Sequence, residues 1–307
     1  MRPYLELIRV YLIPTALADA WAGFFIGRHL ASIASPEASP VDPVSIGELT
    51  LLGLLSAGAY AFGMLTNDLF DVQKDTDSAT RRPLVTGEAA TKAAWLLAVS
   101  LTLSVLVLCH LLNVFALGLT LLATILAYNA GGKRIPLLGD LLMGSCRGLN
   151  LLLGVAVAFP FTLDNLVDGA IPAIPAGLLA LYISVVTGIS RLEDRPYDRV
   201  TLCRWMVVLP GFAVFLAFFP GSNVGTWVNG VIFVLWLLPG LKTPRTEELA
   251  PNAPHPASSL VRRALGAIYF VDAGLLWSFG LGTAAGGVYV LFVLGWILRR
   301  LWIKSDQ

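Results

Sequence analysis

Ten apolar stretches, most of them close to 20 residues long, recur along the chain and dictate what it can fold into. They fall at roughly 8–27, 46–66, 91–110, 113–130, 138–159, 173–190, 203–219, 226–241, 264–282 and 286–302 of 307 residues. A hydrocarbon layer about 30 Å thick is crossed by about 20 apolar residues of α-helix. Inside lipid every backbone N–H and C=O must find its partner within the protein, so runs of this kind become helices. The expectation is an all-α, polytopic membrane helix bundle of nine to ten transmembrane helices in a single domain. Composition agrees: charged residues make up 13% and mean hydropathy is +0.75, against roughly 25% charged residues in soluble domains. A water-soluble enzyme is excluded.

A net charge of +1, from 21 basic and 20 acidic residues, gives no basic face for nucleic acid. Cys109, Cys146 and Cys203 form no Cys-x-x-Cys pair, and His29, His110 and His255 are far apart, so neither a zinc site nor a disulfide framework is expected. The apolar pattern that begins after Arg2 and Arg9 runs past Ala16-Leu17-Ala18 to about Ile26. It reads as an uncleaved first span rather than a cleavable signal.

Charge position orients the bundle. With the N-terminus in the cytoplasm, every basic residue except Arg28 falls on inner loops or inner helix ends, including Arg147, Lys242 and Arg245. Orientation follows the Lys/Arg bias of short loops, so both termini and the Asp-rich loops are expected to be cytosolic, at a bacterial cytoplasmic membrane. The segment Gly282 to Gly287 decides between nine and ten spans.

The second span leads into Asn67-Asp68-Leu69-Phe70-Asp71-Val72-Gln73-Lys74-Asp75-Thr76-Asp77. On a continuing helix Asp68, Asp71 and Asp75 share one face, at i, i+3 and i+7. Three carboxylates at a helix C-terminus repel one another and oppose the helix dipole, so a cation is needed. An all-oxygen donor set without histidine or thiolate favours Mg²⁺, which binds few carboxylates together with substrate phosphates. That describes a diphosphate site. A second acidic loop, Arg191-Leu192-Glu193-Asp194-Arg195-Pro196-Tyr197-Asp198-Arg199, follows the sixth span. The repeated order of span, acidic loop and two further spans suggests two related halves, about 1–137 and 138–283, with an extra C-terminal helix at 286–302.

Asn67-Asp68-x-x-Asp71-x-x-x-Asp75 resembles the first Asp-rich motif of the UbiA superfamily of intramembrane prenyltransferases. Arg82-Pro83-Leu84 with Gly87 resembles the segment after that motif, and Tyr128 with Lys133 resembles the family's basic loop after the fourth span. The segment Met143 to Gly154 resembles an EboC-like subgroup. Asp194 and Asp198 fit the second motif, whose first acid is replaced here by Arg191.

The resemblance implies a bundle around a central cavity capped by cytosolic loops, and Mg²⁺-dependent transfer of a prenyl group from an allylic polyprenyl diphosphate to an unidentified acceptor, with release of pyrophosphate. It implies metal ligation by Asp68, Asp71 and Asp75, with Asp194 and Asp198 helping to hold a second ion. Asn67, Arg82, Lys133, Arg191 and Tyr128 then line the diphosphate. Asp19 and Asp272, ionisable groups inside apolar spans, are candidates for contacting the acceptor, or are paired with a neighbouring helix. A carrier for an anionic lipid or metal ion, and a terpenoid cyclase using the same ionisation, remain as alternatives.

Overall fold

The structure, a computed structural model, describes residues 2–34, 44–77, 81–159, 166–241, 244 and 255–304; Lys242 and Arg245 lie outside them. Among the described residues the regular elements are helical: α1 (Arg2–Leu7), α2 (Ile13–Ala34), α3 (Ile46–Asp77), α4 (Thr91–Leu111), α5 (Phe115–Asn129), α6 (Leu138–Ala158), α7 (Leu166–Ser190), α8 (Arg199–Ala217), α9 (Val224–Leu237), α10 (Pro256–Gly266), α11 (Ile268–Ser278) and α12 (Gly282–Lys304). Seven segments are long and apolar enough to cross a membrane, while Phe115–Asn129 and Val224–Gly240 are apolar but shorter. The protein is a polytopic α-helical membrane bundle.

Helix α3 has 32 residues, about 48 Å at 1.5 Å per residue, well beyond a hydrocarbon layer of about 30 Å. Its apolar part is therefore used up before its acidic end, and the helix carries Asp68, Asp71 and Asp75 on to Asp77 as one rigid face.

Helices α2 and α6 form the central pair, and the reason is the absence of side chains between them. A Cβ on Gly23 would lie 2.0 Å from the Leu151 carbonyl oxygen, and one on Gly154 would lie 2.0 Å from that of Ala20. On another side of α6, a Cβ on Gly144 would lie 2.2 Å from the Ala180 carbonyl oxygen of α7 and one on Gly148 2.6 Å from that of Ala176. In lipid, where apolar burial gives no net drive, such close contact between small residues is what holds helices together. The apolar core divides into two clusters, one built mainly by α3, α4 and α5, the other by α7 to α12; α2 and α6 contribute to both.

Three readings of the sequence change. The stretch 264–282 is not one helix: the chain breaks at Ala267 between α10 and α11. Around this break the Arg263 and Ala264 carbonyls accept from Trp236 Nε1 and the Tyr182 hydroxyl, both at 2.8 Å, as irregular backbone inside a membrane protein requires. The glycines from Gly282 to Gly287 do not break a helix; the turn falls before them, at Gly280 with φ 73°, and they begin α12. Arg147, assigned from the sequence to an inner helix end, instead stands well inside α6.

Candidate active site

At the acidic end of α3, each buried carboxylate meets a cation from another part of the chain. Arg82, on the turn after α3, places Nη1 2.8 Å from both Asp68 Oδ1 and Asp75 Oδ2. Lys133, in the short turn Gly132–Arg134 between α5 and α6, places Nζ 2.5 Å from Asp71 Oδ2 and donates to Asn67 Oδ1 at 2.9 Å. Arg9 reaches Asp68 Oδ1 at 3.4 Å. Its backbone takes the left-handed conformation, φ 47° and ψ 53°, at the joint where α1 ends and the chain turns toward α2. Below this layer Asn129 of α5 donates to Thr66 Oγ1 at 2.8 Å and to the Gly63 carbonyl at 3.0 Å, which fixes α5 against α3.

The layer closes the mouth of a cavity of about 350 Å³ between α2, α3, α5 and α6. Helix α3 lines it with Ser56, Ala59, Tyr60, Gly63, Met64 and Asn67, one face at spacings of three and four residues. Leu121, Ile125 and Tyr128 of α5 supply an apolar and aromatic wall. Arg9 and Arg82 stand in the same lining. The arrangement offers anionic oxygens and paired cations at one end of a largely apolar chamber. Such a layer can accept a divalent ion and a multiply charged anion together.

The second acidic loop is built differently. Arg191 places Nε 2.6 Å from Asp140 Oδ1 and donates from Nη2 to the Lys133 and Ile135 carbonyls, at 3.2 and 3.4 Å. It therefore staples the end of α7 to the turn that carries Lys133. Asp194 is exposed, and Asp198 caps α8, accepting from the Val200 and Thr201 amides. The Thr201 hydroxyl and the Val200 N–H hold the Asp198 carboxyl below the usual carboxylate range. Neither acid lines the cavity beside α3.

A family model described as the UbiA prenyltransferase family matches residues 21–249. The chain belongs to the UbiA prenyltransferase family. Its curated UbiA relatives include the digeranylgeranylglyceryl phosphate synthase of Saccharolobus solfataricus, 27% identical over 65% of this chain and 67% of that protein. The synthase of the same name from Sulfolobus acidocaldarius is 24% identical over 73% of this chain and 81% of its own length. A UbiA homologue from Aeropyrum pernix superposes with a TM-score of 0.60 at 16% identity, covering 91% of this chain and 97% of the other. One from Archaeoglobus fulgidus, bound to GPP and Mg²⁺, superposes with a TM-score of 0.56 at 18% identity, covering 92% and 99%. The UbiA fold is shared throughout.

Beyond the UbiA motifs, the structure brings in groups that sequence reasoning passed over. Arg9, read in the sequence only as a basic residue before the first span, belongs to the carboxylate layer. Asp19 and Asp272 are fully buried and do not line the cavity. Asp19 Oδ2 instead pairs with Arg147 Nε at 3.0 Å, and Asp272 lies against Asp19. Arg147 itself lines the cavity. The signal for it was present, an arginine within an apolar run, but it had been counted with the loop charges.

Proposed function

We propose that this chain transfers a prenyl group from an allylic prenyl diphosphate to an acceptor held in the cavity, releasing pyrophosphate at the cytosolic boundary of the membrane. The observation that carries this reading is the interlocked layer of Asp68, Asp71 and Asp75 with Arg82, Lys133 and Arg9, set over an apolar chamber. The UbiA homologue bound to GPP and Mg²⁺ supports it.

Asp68, Asp71 and Asp75 would hold Mg²⁺. Asp71 Oδ1 is a buried carboxylate oxygen without a hydrogen-bond partner among the described residues, which suits an ion. As the side chains stand, no three acidic, imidazole or thiol groups among the described residues converge on one point, because Arg82 and Lys133 fill the space between the acids. When bound, Mg²⁺ offsets the negative charge that builds on the departing pyrophosphate. A second ion at Asp194 and Asp198 would share the Asp198 carboxylate with the three hydrogen bonds that cap α8.

Arg82 and Lys133 then exchange carboxylate partners for diphosphate oxygens, charge-assisted contacts about twice as strong as neutral ones. Their positive charge is already in place where the leaving group develops its own. Tyr128, Ile125 and Leu121 keep water from the allylic carbon until the acceptor donates its electron pair. The proton lost by the acceptor passes to the pyrophosphate at the mouth.

The test is pyrophosphate release by purified protein given GPP, Mg²⁺ and a lipid extract. Release that stops in EDTA and in the Asp71→Asn protein supports the reading. Flux of a labelled lipid or metal into vesicles without any bond cleavage overturns it in favour of a carrier, and release that needs no acceptor turns it into a cyclase.

A further inference from the structure

The cavity has two chemically different walls. On α5 the deep lining is apolar, Leu121 and Ile125, with Tyr128 and Asn129 following at the end of the helix, while on α6 Arg147 and Asn150 stand one turn apart in the same lining. Their depth follows from hydrogen bonds: Ser56 Oγ and Asn150 Nδ2 both donate to the Ala16 carbonyl, at 2.8 and 2.9 Å, so the three share one level. Ser56 precedes Asn67 by eleven residues on α3, about 16 Å at 1.5 Å per residue, and Arg147 lies about one turn closer to the mouth. An arginine at that depth is costly to bury and is by default functional.

The fold leaves part of each group unused. Asp19 takes Arg147 Nε, and Asn150 Nδ2 goes to Ala16 and to Asp19 Oδ2 at 3.3 Å. Arg147 Nη2 and Asn150 Oδ1 are buried and have no hydrogen-bond partner among the described residues; the same is true of Arg147 Nε, whose contact with Asp19 is an ion pair, and of Asp19 Oδ1 and both Asp272 oxygens, but neither aspartate lines the cavity. Arg147 Nη2 is a donor and Asn150 Oδ1 an acceptor, on one face of α6. Buried polar atoms of this kind normally find a partner.

We infer that Arg147 and Asn150 form an acceptor-recognising subsite for a hydroxyl group. A hydroxyl oxygen accepts from Arg147 Nη2 while its proton goes to Asn150 Oδ1. A carboxylate or phosphate satisfies the arginine but sets an acceptor against Asn150, and an ammonium is repelled by Arg147. The subsite lies about 12 to 16 Å below Asn67, so the bound hydroxyl is not the atom that is prenylated. The acceptor is elongated, anchored by a hydroxyl at the deep end and prenylated at the other, where its electron pair reaches the allylic carbon as the diphosphate departs. This inference rests on the prenyltransferase reading for its context, but its test does not need turnover.

The probes are 4-hexylphenol and 4-hexylbenzoate, with binding to the purified protein measured by native mass spectrometry. The phenol is expected to bind about tenfold tighter than the benzoate, the difference made by one unpaired acceptor. Asn150→Leu removes that preference. Arg147→Gln combined with Asp19→Asn, which keeps the buried charge balanced, weakens phenol binding about tenfold. Equal binding of phenol and benzoate by the wild-type protein overturns the subsite, as does a preference that survives in both variants. Phenol preference without pyrophosphate release from GPP would instead leave the subsite standing and remove the transferase reading.

Discussion

Asp71 shows how much a single side chain can be asked to do. Replacing it with asparagine keeps the size and removes the charge that faces Lys133, so the fold should persist while turnover falls more than about 10²-fold, since each 1.36 kcal/mol of lost transition-state stabilisation is tenfold in rate. Pyrophosphate release at saturating GPP measures it. Lys133→Gln should leave Asp71 without its ion pair, raise the GPP concentration needed for half-maximal rate and lower the rate itself, a split read from initial velocities. The pair inside the membrane predicts a different outcome: Arg147→Met strips the cation from Asp19 and should cost about 3–5 kcal/mol of stability, with Asp19→Asn in the same chain restoring part of it, as followed by thermal unfolding in detergent. The spacing of Asp68, Asp71 and Asp75 was legible in the sequence because helix periodicity alone projects them onto one face. The partnership of Arg147 with Asp19 was not, because it joins α6 to α2 and depends on which helices are neighbours.

Among the elements, α2 and α6 are the least forgiving. Gly154→Val would drive side-chain atoms into the Ala20 carbonyl, which belongs to a helix backbone and cannot swing aside. Overpacking of this kind costs about 1–3 kcal/mol, and the unfolding temperature should fall accordingly, whereas alanine at Gly177, where a Cβ meets nothing within 4 Å, should leave it unchanged. The turn bearing Lys133 depends on α7 through Arg191. Arg191→Asp sets a carboxylate against Asp140 and frees the turn, so activity should drop, and adding Asp140→Arg should recover part of it; the double-mutant cycle in pyrophosphate release reads the coupling. The long acidic extension of α3 could be read directly from the sequence, since no glycine or proline interrupts it. The break between α10 and α11 could not, because the stretch is apolar on both sides of Ala267 and the groups that stabilise it, Tyr182 and Trp236, arrive from other helices.

For the whole molecule, the apolar runs were sufficient to foresee a helical membrane bundle and the positions of its two shorter apolar helices, Phe115–Asn129 and Val224–Gly240, but not the break between α10 and α11, which depends on packing rather than on length. We propose that the two halves, about 1–137 and 138–283, face each other across the membrane interior, with both acidic loops on the cytosolic side. A cysteine at Glu88, on the exposed turn after α3, in a chain whose Cys203 is replaced by serine, should react with an impermeant maleimide only in inside-out vesicles. Reaction in right-side-out vesicles would invert the bundle and separate the carboxylate layer from the cytosol. The glycine-lined seam of α2 with α6 has a further meaning for how this chamber can diversify. With backbone resting on backbone, α6 is a fixed datum against which the other walls are measured. A catalyst with a different appetite would arise from altered side chains on α3 and α5, or at Arg147 and Asn150 on the cavity face of α6, while any redesign that tried to shift the α6 backbone itself would have to move its partner helix with it.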